Sequence, residues 1–141
     1  MRLTNISKIL HEYVQSGGNF ITLFRKIFFH CRKEVNTRLE LMPSVSDVPK
    51  FIFEEKFPEI EEYKEISEYY DEKYFSCEDG GDKDAGSIYF SFARLTSALA
   101  FFYEKASAES IEEAIYESIM STGNPEYTVK NVEDNLDKFI S

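Results

Sequence analysis

Apolar residues recur at intervals of three and four along nearly the whole chain, the spacing of helices that each bury one face. Ile6, Ile9, Leu10, Tyr13 and Val14 form a first stripe, with Thr4 or Asn5 placed to cap it and Gly17-Gly18 to end it. A second helix is predicted from about Asn19, with Phe20, Leu23, Phe24, Ile27, Phe28, Cys31 and Val35 on one side, stopping before Pro43. Residues 43–58 contain Pro43, Pro49 and Pro58 and read as a connector, with Val48 to Phe53 the candidate for a short extended piece. Ile60, Tyr63, Ile66, Tyr70 and Tyr74 define a third helix, and Cys77 to Gly86, with Gly80-Gly81 and four acids, reads as a loop. The fourth helix, about 86–105, is the most apolar, with Ile88, Phe92, Leu95, Leu99 and Phe102 on its strongest stripe. A fifth, capped by Ser107 or Ser110, carries Ile111, Ala114, Ile115 and Ile119 and ends at Gly123. The last begins near Thr128 and uses Val129, Val132, Leu136, Phe139 and Ile140. No internal repeat or low-complexity tract interrupts this pattern. The expectation is an all-α fold: one compact domain over residues 1–141, with five or six helices wrapped around the apolar fourth.

Composition narrows the class. A chain of 141 residues is long enough to build a core without staples, and 13 Phe and 9 Tyr supply far more burial than an acidic disordered chain carries. Between Ala85 and Tyr103 the only charge is the central Arg94. An arginine there costs about 2.5–3.5 kcal/mol on membrane insertion, so the segment is expected to be a buried helix and no membrane partner is expected. Met1 to Lys8 contains no apolar run like that of a secretion signal, and the two cysteines, Cys31 and Cys77, form no Cys-x-x-Cys pair. A reduced, cytoplasmic location is the expectation.

The net charge of −10 is unevenly distributed. Residues 1–46 carry +4, residues 47–83 carry −8 and residues 84–141 carry −6. Direct binding of nucleic acid is therefore not expected, since phosphate is repelled unless positive charge is strongly segregated. At about 100° per residue, Glu61, Glu65, Glu68 and Glu72 gather opposite the apolar stripe of the third helix. Such like-charge neighbours each cost an isolated helix about 0.2–0.5 kcal/mol, partly offset by Lys64, which lies within reach of Glu61 and Glu68. Glu54, Glu55, Glu59 and Glu62 before this row, and Asp71, Glu78, Asp79, Asp82 and Asp84 after it, extend the negative zone. Tyr63, Tyr69, Tyr70, Tyr74 and Phe75 share the segment. Two readings follow: ordinary solvated surface, or a docking surface for a basic partner. In the second, aromatic side chains act as anchors and opposite charge speeds encounter. The partner-binding candidates are Glu61, Glu65, Glu68, Tyr69, Asp71, Glu72, Glu78, Asp79 and Asp82.

Catalytic and metal chemistry find little support. Neither G-x-G-x-x-G nor G-x-x-x-x-G-K-[ST] occurs. Asp82-Lys83-Asp84-Ala85-Gly86 departs from a calcium loop, because its glycine falls one place early and Ala93 stands where the bidentate Glu belongs. His11, His30, Cys31 and Cys77 have no local metal-ligand spacing, so no metal and no cofactor is expected. Arg94, alone on the most apolar helix, calls for carboxylate partners in a buried or half-buried ion pair, with a ligand-binding role as the rival. Arg25-Lys-Ile-Phe-Phe-His30 resembles the Arg-x4-His signature of the HEPN ribonuclease superfamily, which is all-helical and of similar size. The resemblance covers six residues and implies RNA cleavage carried by Arg25 and His30. It departs from that family's pattern in having Lys26 after the arginine and the motif on an early helix.

Size, acidity, helical content and lack of a catalytic constellation together resemble bacterial immunity proteins of the colicin and contact-dependent inhibition systems. The resemblance is one of composition and architecture over the whole chain. It implies a protein without catalysis that neutralises a cognate toxin, often a basic nuclease, by plugging its active site or holding an adjoining exosite. A nucleic-acid mimic would use the same surface against a different target. The alternatives are the HEPN-like ribonuclease and a helical adaptor or oligomer subunit in which the aromatic-rich face makes the interface.

Overall fold

Ile88, Phe92, Ala93, Leu95, Ala98 and Leu99 point to more than one side of a helix, so that helix is stable only where neighbours cover it almost all round. The computed structural model, which describes residues 4–42, 45–54, 56–59, 61–104 and 108–135, supplies that cover with six α-helices and no strand among the described residues. They are α1 (Thr4–Gln15), α2 (Phe20–Glu40), α3 (Tyr63–Gly80), α4 (Lys83–Glu104), α5 (Ala108–Met120) and α6 (Pro125–Asp134). All six apolar residues of α4 named above are fully buried. α3 runs antiparallel along one flank of α4, α5 packs on another, and α2 packs chiefly against α5. α1 and α6 close the remaining side.

Local chemistry sets the boundaries. Asn19 caps α2, its Oδ1 accepting the Ile21 N–H at 2.8 Å. Asn124 caps α6 in the same way through Tyr127, with Pro125 at the first turn, so that helix starts earlier than its apolar stripe suggests. The loop expected from Cys77 to Gly86 is only Gly81 and Asp82. Gly81 adopts φ 81°, and the Asp82 N–H reaches back to the Cys77 carbonyl at 2.9 Å, while Asp82 Oδ1 accepts the Ala85 N–H and starts α4. The glycines and acids there cap two helices rather than form a long loop. Gly86 has a packing reason, since a Cβ there would lie 3.2 Å from Cys77 Cβ on α3. Ser110 lies inside α5 rather than capping it.

The connector also differs from expectation. Lys50–Ile52 forms a 3₁₀ turn, not an extended piece. Phe51 and Ile52 are both buried, and a strand would have sent consecutive side chains to opposite faces. The connector further contributes Phe57, whose ring makes edge contacts with Phe24, Phe28 and Phe102 at 5.4–5.8 Å. Pro43, Glu55, Ile60, Ser107, Leu136, Phe139 and Ile140 lie outside the described residues, as do the side chains of Ile6, Ile9 and Val14.

Three arginines tie the helices together. Arg32, nearly buried, donates to the Phe51 carbonyl at 3.1 Å and the Lys56 carbonyl at 3.4 Å, holding the connector to α2. Arg38 pairs with Glu34 and donates to Ser91 Oγ at 2.7 Å and the Ser121 carbonyl at 2.8 Å. The other Glu34 oxygen takes the Gly123 N–H at 2.7 Å, so one ion pair links α2, α4 and the α5–α6 turn. Arg94 of α4 bridges Glu117 of α5 at 3.0 Å and Asp71 of α3 at 3.2 Å. This is the carboxylate pairing expected for it, made twice over.

Burial raises the Glu117 carboxyl above its ordinary value, and the adjoining Arg94 only partly opposes that. Replacing Arg94 by Met should destabilise the protein by about 2–3 kcal/mol at neutral pH, less than for a fully buried pair because water reaches part of Arg94 and Asp71. Urea denaturation measures it, and an unchanged midpoint would show that the bridge contributes nothing. Because the folded-state Glu117 binds its proton more tightly than the unfolded chain does, its contribution is fully present below the ordinary glutamate value. It is lost as the pH rises through the raised folded value. Thermal melts across that interval should show this decline in the parent and a flatter profile in Glu117→Gln.

Candidate partner-binding surface

The outer face of α3 follows from the burial of its inner one. Tyr63, Ser67 and Tyr70 turn towards α4, where Tyr70 packs edge-on against Phe92 at 5.4 Å and Ser67 Oγ donates to the Ala93 carbonyl. The helical repeat then forces Glu65, Glu68 and Glu72 outward, and all three are exposed. Asp79, two turns beyond Glu72, continues the line, so the ridge from Glu65 to Asp79 is about 21 Å long. Phe75 lies beside Glu68 in azimuth and is 61 % exposed, an aromatic ring standing among carboxylates.

Neither cation of α3 pairs with this ridge. Lys64 pairs with Glu104 of α4 at 3.0 Å, not with Glu61 or Glu68 as its spacing suggested. Lys73 pairs with Asp47 of the connector at 3.1 Å, and the Tyr69 hydroxyl donates to that same carboxylate. The hydrogen bond from Tyr69 and the Lys73 ammonium hold Asp47 below the ordinary aspartate value. Losing its proton next to Asp47 is harder for Tyr69, so the phenol is raised. Among the described residues, Glu65, Glu68, Glu72, Glu78 and Asp79 make no ion pair.

The structure distributes the remaining candidates as follows. Glu61 is exposed but precedes α3, so the helical row begins at Glu65. Glu62, next to it, adopts the left-handed backbone at φ 63°. Tyr69 is 43 % exposed and anchored by Asp47. Asp71 faces α4, its charge met by Arg94, and Asp82 serves as a cap for α4. Of the aromatic residues in the segment, Tyr63 and Tyr70 are buried, leaving Tyr69 and Phe75 as the clearly exposed ones. Phe75 was detectable in the sequence, because a helical projection puts it among the glutamates.

Arg25 and His30 lie on different flanks of α2, about 140° apart. The Arg25 guanidinium sits over the Phe57 ring at 5.0 Å. His30 Nε2 is 3.5 Å from Asn131 Nδ2 of α6, and partial burial lowers the imidazole below its ordinary value, aided by Lys33 and opposed by Glu34. Cys31 is buried and its thiol is pushed far up by desolvation, which makes it a poor thiolate. No group of three or more His, Cys, Asp or Glu residues is arranged to hold a metal among the described residues. Nor, among them, is any helix long and apolar enough to cross a membrane.

Comparison with known proteins gives no matching family model, no matching curated protein and no matching solved structure.

Proposed function

We propose that this chain is a binding protein without catalysis that docks a basic protein partner on the outer face of α3, in the manner of an immunity protein neutralising a cognate nuclease toxin. The observation that carries the reading is the uncompensated ridge. Glu65, Glu68 and Glu72 stand exposed in line while Lys64 and Lys73 are committed to Glu104 and Asp47. A helix surface shaped only by solubility gains from pairing its glutamates with its own lysines at three- and four-residue spacing. Here that stabilisation is forgone on the ridge. The row stands on a helix packed from underneath, so its backbone is in place before any partner arrives and only the glutamate side chains need ordering on association. Phe75 adds exposed apolar area beside the charged row, a candidate anchor next to polar groups. The proposed action is occlusion: a cationic substrate-binding region of the toxin is covered, and no bond is made or broken by this chain. Its location is proposed to be the cytoplasm.

The test is association with a basic nuclease domain, taken first from any toxin gene adjoining the gene of this chain and otherwise from a pull-down in the native host. The parent should form a 1:1 complex whose association rate falls about tenfold or more on going from low to high salt. Glu65→Lys/Glu68→Lys/Glu72→Lys should slow association by at least about tenfold and abolish protection of cells from the toxin. An association rate indifferent to both salt and the triple reversal would overturn the reading.

A further inference from the structure

Where the start of α3 meets the end of α4, the surface opens into a groove of about 680 Å³ with an aromatic floor and an acidic rim. Tyr63 and Tyr103 stack there with ring centroids 5.4 Å apart and planes 5° apart, and Ala100 completes the apolar base. Both hydroxyls donate to one acceptor, the Pro58 carbonyl, at 3.5 Å for Tyr63 and 2.9 Å for Tyr103. The shorter bond ties Tyr103 to the connector, and Tyr63, buried beneath the start of α3, stacks against it, so the floor exists before a ligand arrives. Tyr103 is 44 % exposed, so part of its ring is open to the groove. Around it stand Glu59, Glu61, Glu62, Glu65 and Glu104.

Lys64 is the only cation lining the groove among the described residues, and it is bonded to Glu104. Arg25, the other cation whose field reaches Tyr103, sits over Phe57 and does not line the groove. The two helix ends that meet here are of opposite polarity, an N-terminus and a C-terminus, so their partial charges largely offset. Among the described lining residues, carboxylates set the sign of the groove. An apolar floor with a negative rim suits one kind of occupant, a side chain that is flat and apolar-tolerant on its face and cationic at its edge. Arginine meets this description better than lysine, because its planar guanidinium stacks on an aromatic ring while its N–H groups fork towards carboxylates.

We infer that this groove is the receptor for an arginine side chain of the basic partner, seated over Tyr103 and held by Glu59, Glu62 and, once Lys64 moves aside, Glu104. The inference rests on the docking function proposed above and adds to it a specificity pocket beyond the α3 ridge. Lys64 then acts as an internal stand-in for the incoming cation, screening Glu104 until it is displaced.

The test needs no knowledge of the partner. A capped arginine–glycine hexapeptide is titrated into isotopically labelled protein at low salt, with citrulline–glycine and lysine–glycine peptides as controls, and binding is read from NMR shifts. The arginine peptide should shift the Tyr63 and Tyr103 ring signals and the amides around residues 61–65 and 100–104 saturably, with affinity at least about tenfold above the citrulline peptide. Glu59→Gln/Glu62→Gln, at exposed positions, should weaken it several-fold, and Lys64→Met should tighten it about threefold by freeing Glu104. Equal affinity for the citrulline or lysine peptide overturns the assignment. So does the absence of any shift, or shifts confined to Glu68, Glu72 and Phe75. That last result would leave the ridge as the docking surface and remove only the groove, whereas the ridge is tested apart from the groove by Glu68→Lys/Glu72→Lys with the nuclease partner, which leaves Glu65 on the groove rim intact.

Discussion

The structure depends on a conflict within α4: the helix must be covered nearly all round, yet it carries Arg94 at its middle. Covering the helix removes water from the guanidinium, and a desolvated cation is tolerated only with carboxylates at hand. Asp71 and Glu117 meet the demand from opposite neighbours, so the charge that would oppose burial instead fixes the positions of α3 and α5 around α4. The arrangement carries its own cost, visible in the upward shift of Glu117. With α3 locked in rotation by Asp71, Ser67 and Tyr70, its opposite face has no freedom to turn inward, and the glutamates there are presented to solvent by geometry.

The same logic changes the meaning of the charge map. By sequence the first 46 residues form a positive pole of +4. In the fold, Arg38 is consumed by Glu34 and by serine and carbonyl acceptors, and Arg32 by the carbonyls of the connector. These arginines act as ties between elements. The lysines of α3 are likewise spent on contacts with α4 and the connector. These four cations are drawn towards joints of the structure, while Lys33, Lys50, Lys56, Lys83 and Lys130 stay exposed.

Much of the fold was legible in the sequence because helical spacing reports burial directly. The stripes of α2, α4 and α5 are buried where the pattern places them, and Asn19 and Gly17 mark real boundaries. The misread parts share a cause. Gly80-Gly81 with flanking acids looks like a loop by composition, but a left-handed glycine and an aspartate cap are also the shortest way to end one helix and begin the next. Phe51 and Ile52 read as extended because β-branched and aromatic residues follow a proline, whereas burying both on one side requires a tight turn. For the candidate surface, Glu65, Glu68 and Glu72 were legible because azimuth alone decides them. The engagement of Asp71 and Asp82, and the destination of Lys64, were not, since each depends on which helix lies alongside.

In the proposed docking, ridge and groove would divide the physical work of recognition. Exposed carboxylates in a row attract any cationic surface and are screened by salt, so they favour fast encounter but discriminate poorly. The preformed tyrosine floor contributes little at long range, but it rewards one shape at short range. Glu65 belongs to both, standing at the head of the ridge and on the rim of the groove. A partner drawn to the ridge in the wrong register leaves the groove empty and gains only screened Coulomb attraction. In the right register it adds stacking on Tyr103 in a partly desolvated site, where opposite charges interact more strongly than on the open helix. Under the proposed docking, selectivity would reside at the end of α3 where Tyr63 and Tyr103 meet the Pro58 carbonyl, and capture along its length.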